Sequence, residues 1–419
     1  MSVQLPCGPT FTAEVAFSAA TGPPYGVWDA ALWNTATWGP DAVYQDISPY
    51  VRSFTTSRRF SRDVREWESG TASTVLSNRD RRFSPDNLSG PYVVAGVTGI
   101  RPWRPYRLRA GWAGVTYDIY NGYALSYQED WAAAHADATV TVQASDELAR
   151  LSLFDGLEVP PVGAGETAGR RIHRILDNAG HTGVRCVDVG RNTMQATTLS
   201  SNAVAEMRLT TDSEGGALYV DADGCLEFEQ QYALIEDTRS NTIQATFGDG
   251  TGTELGCADI AAEYDGSLVV NMAAFARVGG SAQTAADNIS RALYGDRRAT
   301  RTDLICETDV QASALATFEV EQFKAPELRI TQVTVRPQAD PTRLWPQVLG
   351  RRVRDLVRVV LRPIGGGTIT RDCHISGIHH ASNGEEWTTT FDLSSATVYQ
   401  SFAASRWDVG SWDSSAWFF

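Results

Sequence analysis

Short runs of alternating apolar and polar residues dominate the first 150 positions of the chain. The runs are rich in β-branched and aromatic residues and are broken by glycine or proline, which is typical of strands in a β-sheet. The clearest runs are Phe11–Phe17, Thr71–Asn78, Tyr106–Ala110, Thr116–Tyr127 and Ala138–Ala144. Strands at this spacing predict a sandwich or a barrel.

The pattern changes to helical spacing near residue 145. Ser145 is a candidate cap for a short helix. Apolar residues recur at helical spacing over Gly165–Ala179, and a weaker helix is predicted over Asn202–Ser213. A hairpin with an Asp-Gly turn follows at residues 216–228. Residues 151–235 are therefore predicted to form a small α+β insert.

Strand-like runs return after the insert. They are Ser267–Phe275, Leu328–Val335, Asp355–Arg362, Thr368–Ile375 and Trp387–Leu393, with one helix predicted over Thr284–Leu293. Asn383-Gly384 predicts a type I′ hairpin turn between the last two strands. The fold class that follows is α+β and mainly β, with two β domains of similar size around the insert. That arrangement suggests a duplication, although no sequence repeat between the two β domains is visible.

Aromatic segments near the two ends of the chain match each other. Units of the form Trp-(Asp/Asn)-x-x-x supply Trp28, Trp33, Trp38, Trp407, Trp412 and Trp417, and Phe418 and Phe419 follow the last unit. A five-residue step keeps neither a helix face nor a strand face. Large aromatic side chains at a terminus need a surface to bury against. We therefore predict that these eight residues make inter-subunit contacts; packing on the chain's own domains is the alternative.

Composition and charge exclude several functions. The net charge of −14 argues against a nucleic-acid-binding surface, which would need a basic stripe. No apolar run approaches the roughly 20 residues of a membrane helix, and the first residues lack a signal-peptide pattern, so synthesis in the cytoplasm is expected. The six cysteines are scattered without a Cys-x-x-Cys pair, which favours buried free thiols over a disulfide framework or a zinc site.

Motifs for catalysis are missing from the sequence, which has no Gly-x-Ser-x-Gly elbow, no Walker loop and no His-Glu-x-x-His. Metal-ligating side chains cluster only at Cys373, His374, His379 and His380. However, His379 and His380 are consecutive and would face opposite sides of a strand. We therefore expect no enzymatic activity, no catalytic, cofactor-binding or metal site, and no cofactor.

Short motifs follow one another along nearly the whole chain. The segment Gly70–Asn78, with the pattern Gly-Thr-Ala-x-x-x-Leu-x-Asn, leads into Asp80–Pro85, with the pattern Asp-x-Arg-Phe-x-Pro. Further motifs in order are Arg101–Pro105, Tyr120–Tyr123, Ser145–Leu151, Ile172–Gly180, Tyr294–Arg297, Trp345-Pro346 and Gly377–His380. The series, in this order, resembles the minor tail proteins of long-tailed actinobacteriophages, in which the first pattern is a strand and the second a turn.

The resemblance implies a baseplate or tail-tip hub protein. Such hubs contain two β domains similar to the tail-tube fold, separated by inserted domains, and three copies form a ring with pseudo-six-fold symmetry that joins the hexameric tube to a trimeric tip. The implied domains are an N-terminal arm with the Trp repeat (1–40), a first tube-like β domain (41–150), the insert (151–235), a second tube-like β domain (236–400) and a C-terminal Trp-rich arm (401–419).

The partners that the resemblance implies are further copies of the chain, most simply as a trimer, together with distal tail, tape measure and tip proteins. The location is the tail tip of the virion, away from any membrane. Phage DNA would pass the bore without specific binding, so the bore should be lined by acidic or neutral groups. Two alternatives stay open: a distal tail protein that forms a hexameric ring, and a carbohydrate-binding host-recognition protein. Many hubs continue into a cell-wall-degrading domain; because this chain ends at Phe419, lytic activity is not expected.

Overall fold

The computed structural model describes residues 8–17, 42–61, 66–94, 96–131, 137–155, 159–162 and 165–404. Across these ranges strands outnumber helices, and most of the strands belong to one large sheet. The predicted class, α+β and mainly β, is therefore confirmed. No helix in these ranges is long and apolar enough to cross a membrane.

The first β unit forms because buried and outward-facing positions alternate along its strands. In the strand Thr71–Ser77, for example, Ala72, Thr74 and Leu76 are buried and the residues between them are not. The unit comprises β1 (Thr10–Val15), β2 (Gln45–Asp46), β3 (Val51–Ser61), β4 (Glu66–Trp67), β5 (Thr71–Ser77), β6 (Val93–Val94), β7 (Val97–Thr98), β8 (Arg104–Trp112), β9 (Val115–Trp131), β10 (Ala138–Ser145) and α1 (Glu147–Leu151). All five runs predicted for this region coincide with strands, but none of them covers β3.

The insert that follows has a hydrophobic core of its own, with Ile172, Met207 and Phe228 at its centre. Its elements are β11 (Glu166–Thr167), α2 (Ala168–Asn178), β12 (Arg185–Val187), β13 (Thr193–Met194), α3 (Ala203–Glu214), β14 (Ala217–Val220), β15 (Leu226–Glu229), α4 (Ala233–Glu236) and α5 (Thr238–Asn241). Both predicted helices and the predicted hairpin are present. Asn202 caps α3, because its side chain accepts hydrogen bonds from the backbone N–H groups of the next turn.

Cys186 and Cys225 form a disulfide in the insert, so the expectation of free thiols is wrong for these two residues. The parallel pairing of β12 with β15 brings the two cysteines together across 39 positions of sequence, to a Cα–Cα distance of 6.0 Å. Cys257, Cys306 and Cys373 are free thiols.

The second β unit is interrupted by a small sheet with its own core. The elements from residue 245 onward are β16 (Ala245–Gly248), β17 (Leu255–Gly256), β18 (Asp259–Tyr264), β19 (Met272–Arg277), β20 (Gln283–Ala286), α6 (Asn288–Tyr294), β21 (Arg298–Leu304), α7 (Asp309–Phe323), β22 (Leu328–Val335), α8 (Pro341–Gly350), β23 (Leu356–Leu361), β24 (Ile369–Ser382), β25 (Trp387–Ser395) and α9 (Thr397–Ala404). Strands β19 to β21 pack against α7 and bury Phe275, Leu304 and Leu315. The helix predicted over Thr284–Leu293 begins only at Asn288, because Gln283–Ala286 pairs with β19 as a strand.

Three further local predictions differ from the structure in detail. The strand predicted over Ser267–Phe275 begins only at Met272, as β19. The cap of α1 is Asp146, whose carboxylate accepts a hydrogen bond from the Leu148 N–H at 3.0 Å, whereas Ser145 is the last residue of β10. The hairpin between β24 and β25 is present, but its loop spans residues 383–386. Gly384 takes a positive φ of 89°. The Asn383 side chain accepts hydrogen bonds from the N–H groups of Glu385 and Glu386, which is an Asx-type turn rather than a two-residue type I′ turn.

The same order of five strands occurs twice in the large sheet. The first unit has the order β3-β5-β10-β9-β8, and the second has the order β18-β22-β25-β24-β23. In each unit the last three strands along the chain form a meander that a short helix follows. Each unit also has a β-bulge between the third and fourth strands of the order. This repeated topology supports a duplication.

Backbone pairing between β24 and β3 joins the two units into one sheet. Gly377–Ser382 of β24 lies antiparallel to Phe54–Arg59 of β3. The result is a continuous antiparallel run in the order β18-β22-β25-β24-β3-β5-β10-β9, which we call the eight-strand run. Its two end strands are β18 and β9.

An aromatic cluster packs beneath this junction. The buried Trp387 ring lies edge-on to Phe54 at a centroid distance of 4.9 Å and to Trp345 at 5.5 Å. Phe11 stacks on Phe54 at 4.4 Å, so the cluster combines residues from both β units. His380 is buried beside Trp387, and burial lowers the pKa of His380 to about 3, which keeps its imidazole neutral at neutral pH.

Buried ion pairs hold the insert against the sheet. Arg58 of β3 donates to the Asp221 carboxylate at 2.8 Å, and both side chains are almost fully buried. Arg354 pairs with Glu229 of β15, and these two side chains are mostly buried. Removing one partner of such a pair would leave an uncompensated buried charge, so these contacts restrict how the insert can sit.

Replacing Trp387 with alanine should destabilise both β units together. The change empties the centre of the aromatic cluster, and large-to-small changes of this kind cost about 3–5 kcal/mol. Thermal or denaturant unfolding followed by tryptophan fluorescence measures the loss. Trp131→Ala is the matched control, because that ring is 52% exposed and its removal should cost less than about 1 kcal/mol. Equal losses in the two variants would contradict the role of the cluster.

Candidate functional site

One face of the eight-strand run is polar, with hydroxyl and amide groups at most of its positions. Its strands bury their alternate side chains in the main core, so the remaining positions point to the other side. A row of directly paired residues crosses six strands of this face: Ser126, Gln143, Ser73, Thr55, Ala381 and Thr388. Hydroxyl groups, amides and small side chains therefore dominate what we call the polar face.

The next row on the polar face repeats the same chemistry. Thr71, Ser57, His379, Thr390 and Thr334 are paired in that order across β5, β3, β24, β25 and β22. Side chains bridge the strands within these rows. Gln143 donates to the Ser73 hydroxyl at 3.1 Å, and the hydroxyls of Thr334 and Thr390 lie 3.2 Å apart.

Charged groups on the polar face are paired or acidic. Arg59 donates to Glu68 at 2.9 Å, and Arg52, which donates to the Ser77 hydroxyl, pairs with Asp137 at 2.5 Å. His379 Nε2 lies 2.8 Å from the Asp392 carboxylate. Burial is the largest influence on Asp392 and would raise its pKa, but the interactions with His379, Gln332 and Arg59 together outweigh burial and the pKa is lowered. Asp130 adds a further exposed carboxylate near the β9 end.

The residues weighed for a metal site do not converge. His380 contacts the Thr389 hydroxyl in the core, whereas His379 lies on the polar face, as strand alternation predicts. His374 Nε2 lies 2.9 Å from the Ser240 carbonyl, and burial lowers the pKa of His374 to about 4. Burial raises the pKa of the Cys373 thiol to about 12, so this thiol is protonated at neutral pH. Each of these side chains has a structural environment of its own.

A cavity of about 740 Å³ lies between the second β unit, the small β19–β21 sheet and the insert. Trp67, Phe275, Phe318 and Tyr399 contribute aromatic walls. Arg301 also lines the cavity and is held by Asp212 at 2.8 Å. The lining also includes His374 and the hydroxyl side chains of Ser376 and Ser394, so aromatic walls, paired charges and hydroxyl groups share the cavity.

An acidic cluster surrounds the disulfide of the insert. Glu227 lies near Asp221, Asp223 and Glu229, and its burial, together with these carboxylates, raises its pKa to about 8. Cys186 and Cys225 approach Glu227 closely enough to suggest metal ligands, but their sulfur atoms are bonded to each other and are not available as thiolates.

The predicted inter-subunit residues are not placed by the structure. Trp28, Trp33, Trp38, Trp407, Trp412, Trp417, Phe418 and Phe419 all lie outside the described residues. The polar face, in contrast, was missed by the sequence analysis. Its signal was present in the hydroxylated alternate positions of the predicted strands, such as Thr139 and Thr141 in β10 and Thr388 and Thr390 in β25.

Comparison with solved structures finds the same overall fold in two tail proteins, one of them from a prophage. A 43 kDa tail protein of prophage MuSo2 from Shewanella oneidensis matches with a TM-score of 0.55 at 11% sequence identity, over 93% of this chain and 98% of that one. A tail protein from Neisseria meningitidis MC58 matches with a TM-score of 0.59 at 11% identity, over the same shares of 93% and 98%. This chain shares its fold with phage tail proteins. Neither a protein-family model nor a curated protein matches its sequence.

Replacing Glu227 with glutamine should stabilise the protein increasingly as the pH rises. The folded-state pKa of Glu227, about 8, lies above the ordinary value of 4.5, so the folded state holds this proton more tightly than the unfolded state does. Stability associated with the protonated carboxyl is therefore lost as the pH rises from 4.5 through about 8. Thermal unfolding of both proteins between about pH 5 and about pH 9 measures the difference. Glu385→Gln, in the exposed β24–β25 loop, is the control; a difference that does not grow with pH would contradict the prediction.

Proposed function

We propose that this chain is a structural subunit of a phage tail tip, a baseplate hub protein that forms a ring between the tail tube and the tip and lets DNA pass. The observation that carries the proposal is the eight-strand run, in which two repeats of one topology present a continuous polar face. The fold shared with a prophage tail protein from Shewanella oneidensis and a tail protein from Neisseria meningitidis supports it. No chemical step is assigned to the chain, and its location would be the virion tail.

The polar face has the chemistry that a DNA channel needs. A wall of unpaired arginines would hold phosphate groups and slow the passage of DNA, because protein–DNA affinity comes mainly from cation–phosphate contacts. Here the outward positions are hydroxyls, amides and small residues, and the charges that occur are paired or acidic. The net charge of −14 acts in the same direction. We therefore assign the polar face to the bore.

Three copies suit this architecture better than six. Each chain already holds two equivalent four-strand units joined side by side, so three chains supply six units around a ring. Six units would match a hexameric tube above, and three chains would match a trimeric tip below. In the distal tail protein alternative, six chains form one ring, and that ring would contain twelve four-strand units.

The aromatic arms would then fasten the ring to its neighbours. Trp28, Trp33 and Trp38 in the N-terminal arm, and Trp407 to Phe419 in the C-terminal arm, are proposed to insert into other subunits of the tip, such as distal tail, tape measure and tip proteins. Buried tryptophans commonly dominate interface energies, with about 2 kcal/mol or more lost on truncation. Tryptophan rings also stack on sugars, which is the basis of the host-recognition alternative.

Imaging of purified particles of the encoding phage tests the proposal. The expected result is a ring of three copies at the tail tip, with the polar face towards the axis and the arms on adjacent proteins. Six copies in one ring would favour the distal tail protein. Absence of the chain from the particles would overturn the proposed function, and binding of the isolated protein to cell-wall glycans would favour host recognition.

Introducing arginine on the polar face should make the ring retain DNA. Thr55 lies in the middle of the row that crosses six strands and is exposed, so Thr55→Arg adds one cation per chain to the proposed bore. Retention of duplex DNA by assembled tips, or slower DNA ejection, is the expected readout, and it should weaken as salt is raised. Ile364→Arg is the matched control, because Ile364 is fully exposed in the β23–β24 loop. Equal retention by both variants would contradict the assignment of the bore.

A further inference from the structure

The eight-strand run ends in two strand edges that no described residue covers. At one end, β18 pairs with β22 on one side only. At the other end, β8 pairs with β9 only as far as Ala124, so Leu125–Trp131 has a partner, β10, on one side and none among the described residues on the other. Exposed aromatic residues mark both edges: Tyr264 is 67% exposed and Trp131 is 52% exposed. Uncovered edges of this kind are templates for pairing with another chain.

The β24–β3 junction inside the chain shows which kind of strand can pair with such an edge. Gly377–Ser382 is the part of β24 that extends beyond its pairing with β23, and it is filled by β3. In the first repeat, Leu125–Trp131 is the corresponding part of β9, beyond its pairing with β8. In the second repeat, β18 takes the place that β3 takes in the first. The chain therefore contains one junction of this type, between β24 and β3. It also carries the two strands that would form a second junction, Leu125–Trp131 of β9 and β18.

We infer that β18 of one copy pairs antiparallel with Leu125–Trp131 of the next copy, in the geometry of the β3–β24 junction. The contact is head to tail, so repeated copies continue the sheet and close it into a ring. The inference rests on the proposed ring and names the surface that forms it. The partner is a second copy of this chain.

The β-bulges determine the register of this contact. The bulge of β24 lies at Ser376 and that of β9 at Leu125, so Gly377 corresponds to Ser126 and Ala381 to Asp130. The residues that follow the bulge in β24 then correspond one for one to those that follow the bulge in β9.

The corresponding residues of β3 and β18 are found through their neighbours in the sheet. Thr55 is opposite Ser73, which is opposite Gln143; Ala261 is opposite Gln332, which is opposite Asp392. Since Gln143 pairs with Ser126 and Asp392 with Gly377, Ala261 corresponds to Thr55.

The internal pair Thr55–Ala381 therefore predicts that Ala261 of one copy lies opposite Asp130 of the next. The internal pair Phe54–Ser382 similarly predicts that Ile260 lies beside Trp131 of the next copy. Both of these residues would lie on the core side of the sheet, where Ile260 already packs against the main core. The pairing would thus cover an exposed tryptophan with an apolar neighbour.

Acidic residues on both edges would oppose the contact at low ionic strength. Asp259 and Glu263 lie on β18, and Glu129 and Asp130 lie on the β9 edge. Charged edge residues are a common device against premature strand pairing. Their repulsion is screened over about 10 Å at 0.1 M salt. Ring formation should therefore increase, not decrease, when salt is raised from low to physiological levels.

Paired cysteines test the register directly in the full-length protein. In a Cys257→Ser background, which removes the thiol nearest to β18, Ala261→Cys is combined with Asp130→Cys and the protein is mildly oxidised. Directly opposed residues in an antiparallel pair are close enough for a disulfide. The expected result is a ladder of linked chains on a non-reducing gel that ends in a closed trimer, and a higher linked fraction at physiological than at low salt.

The matched control is Ala262→Cys with Asp130→Cys. Ala262 is the neighbouring residue on the same strand and its side chain points to the other face of the sheet, so little linkage is expected. Each single cysteine variant is also oxidised alone. Linkage by Ala261→Cys or Asp130→Cys alone would mean that like edges pair with each other, which would overturn the head-to-tail contact.

Light scattering on the unlinked protein separates this inference from the proposed function. A ring-sized mass without linkage of Ala261→Cys and Asp130→Cys would overturn the β18–β9 contact and leave the tail-tip role standing. Equal linkage in the Ala262→Cys control would overturn the register. A protein that stays monomeric at all salt and protein concentrations, with no linkage, would overturn the inference and count against the ring itself.

Discussion

The pairing of β24 with β3 is the constraint on which the rest of the structure depends. Six residues on each strand are in register, and their backbone groups complete each other's hydrogen bonds. Without this pairing, each β unit would expose a strand edge towards the other and the polar face would be split in two. The aromatic cluster around Trp387 fills the core on the other side of the same strands, so sheet continuity and core packing reinforce each other.

The orientation of the insert depends on this same pairing. Arg58 lies on the core side of β3, within the junction, and it reaches Asp221 at the end of β14. A cation placed among buried strands needs a partner, and the hairpin of the insert supplies it. The orientation of the insert is thereby tied to the strand that joins the two repeats, and a change in one would be felt by the other.

Strands with regular alternation could be predicted from the sequence, and those with an irregular pattern could not. β5, β10 and β22 were predicted correctly because β-branched residues alternate with short polar ones. β3 was missed because its buried positions include Thr56 and Arg58, which look like surface residues until the tertiary partners are known. The disulfide was missed for a related reason: Cys186 and Cys225 meet through a parallel pairing of distant strands. The polar face could have been recognised from its threonines, but its continuity across two repeats depends on the β3–β24 register, which no local pattern contains.

The covalent linkage of the two repeats has a consequence for how an assembly of such chains would form. Within one chain, β24 meets β3 at the effective concentration that the connecting residues impose, so that junction forms as part of folding and does not depend on how much protein is present. Only the junctions between chains have to be formed by encounter. In a ring, every second junction would already be formed before two molecules meet. This halves the number of junctions that have to form between chains and keeps the two kinds of repeat in strict alternation.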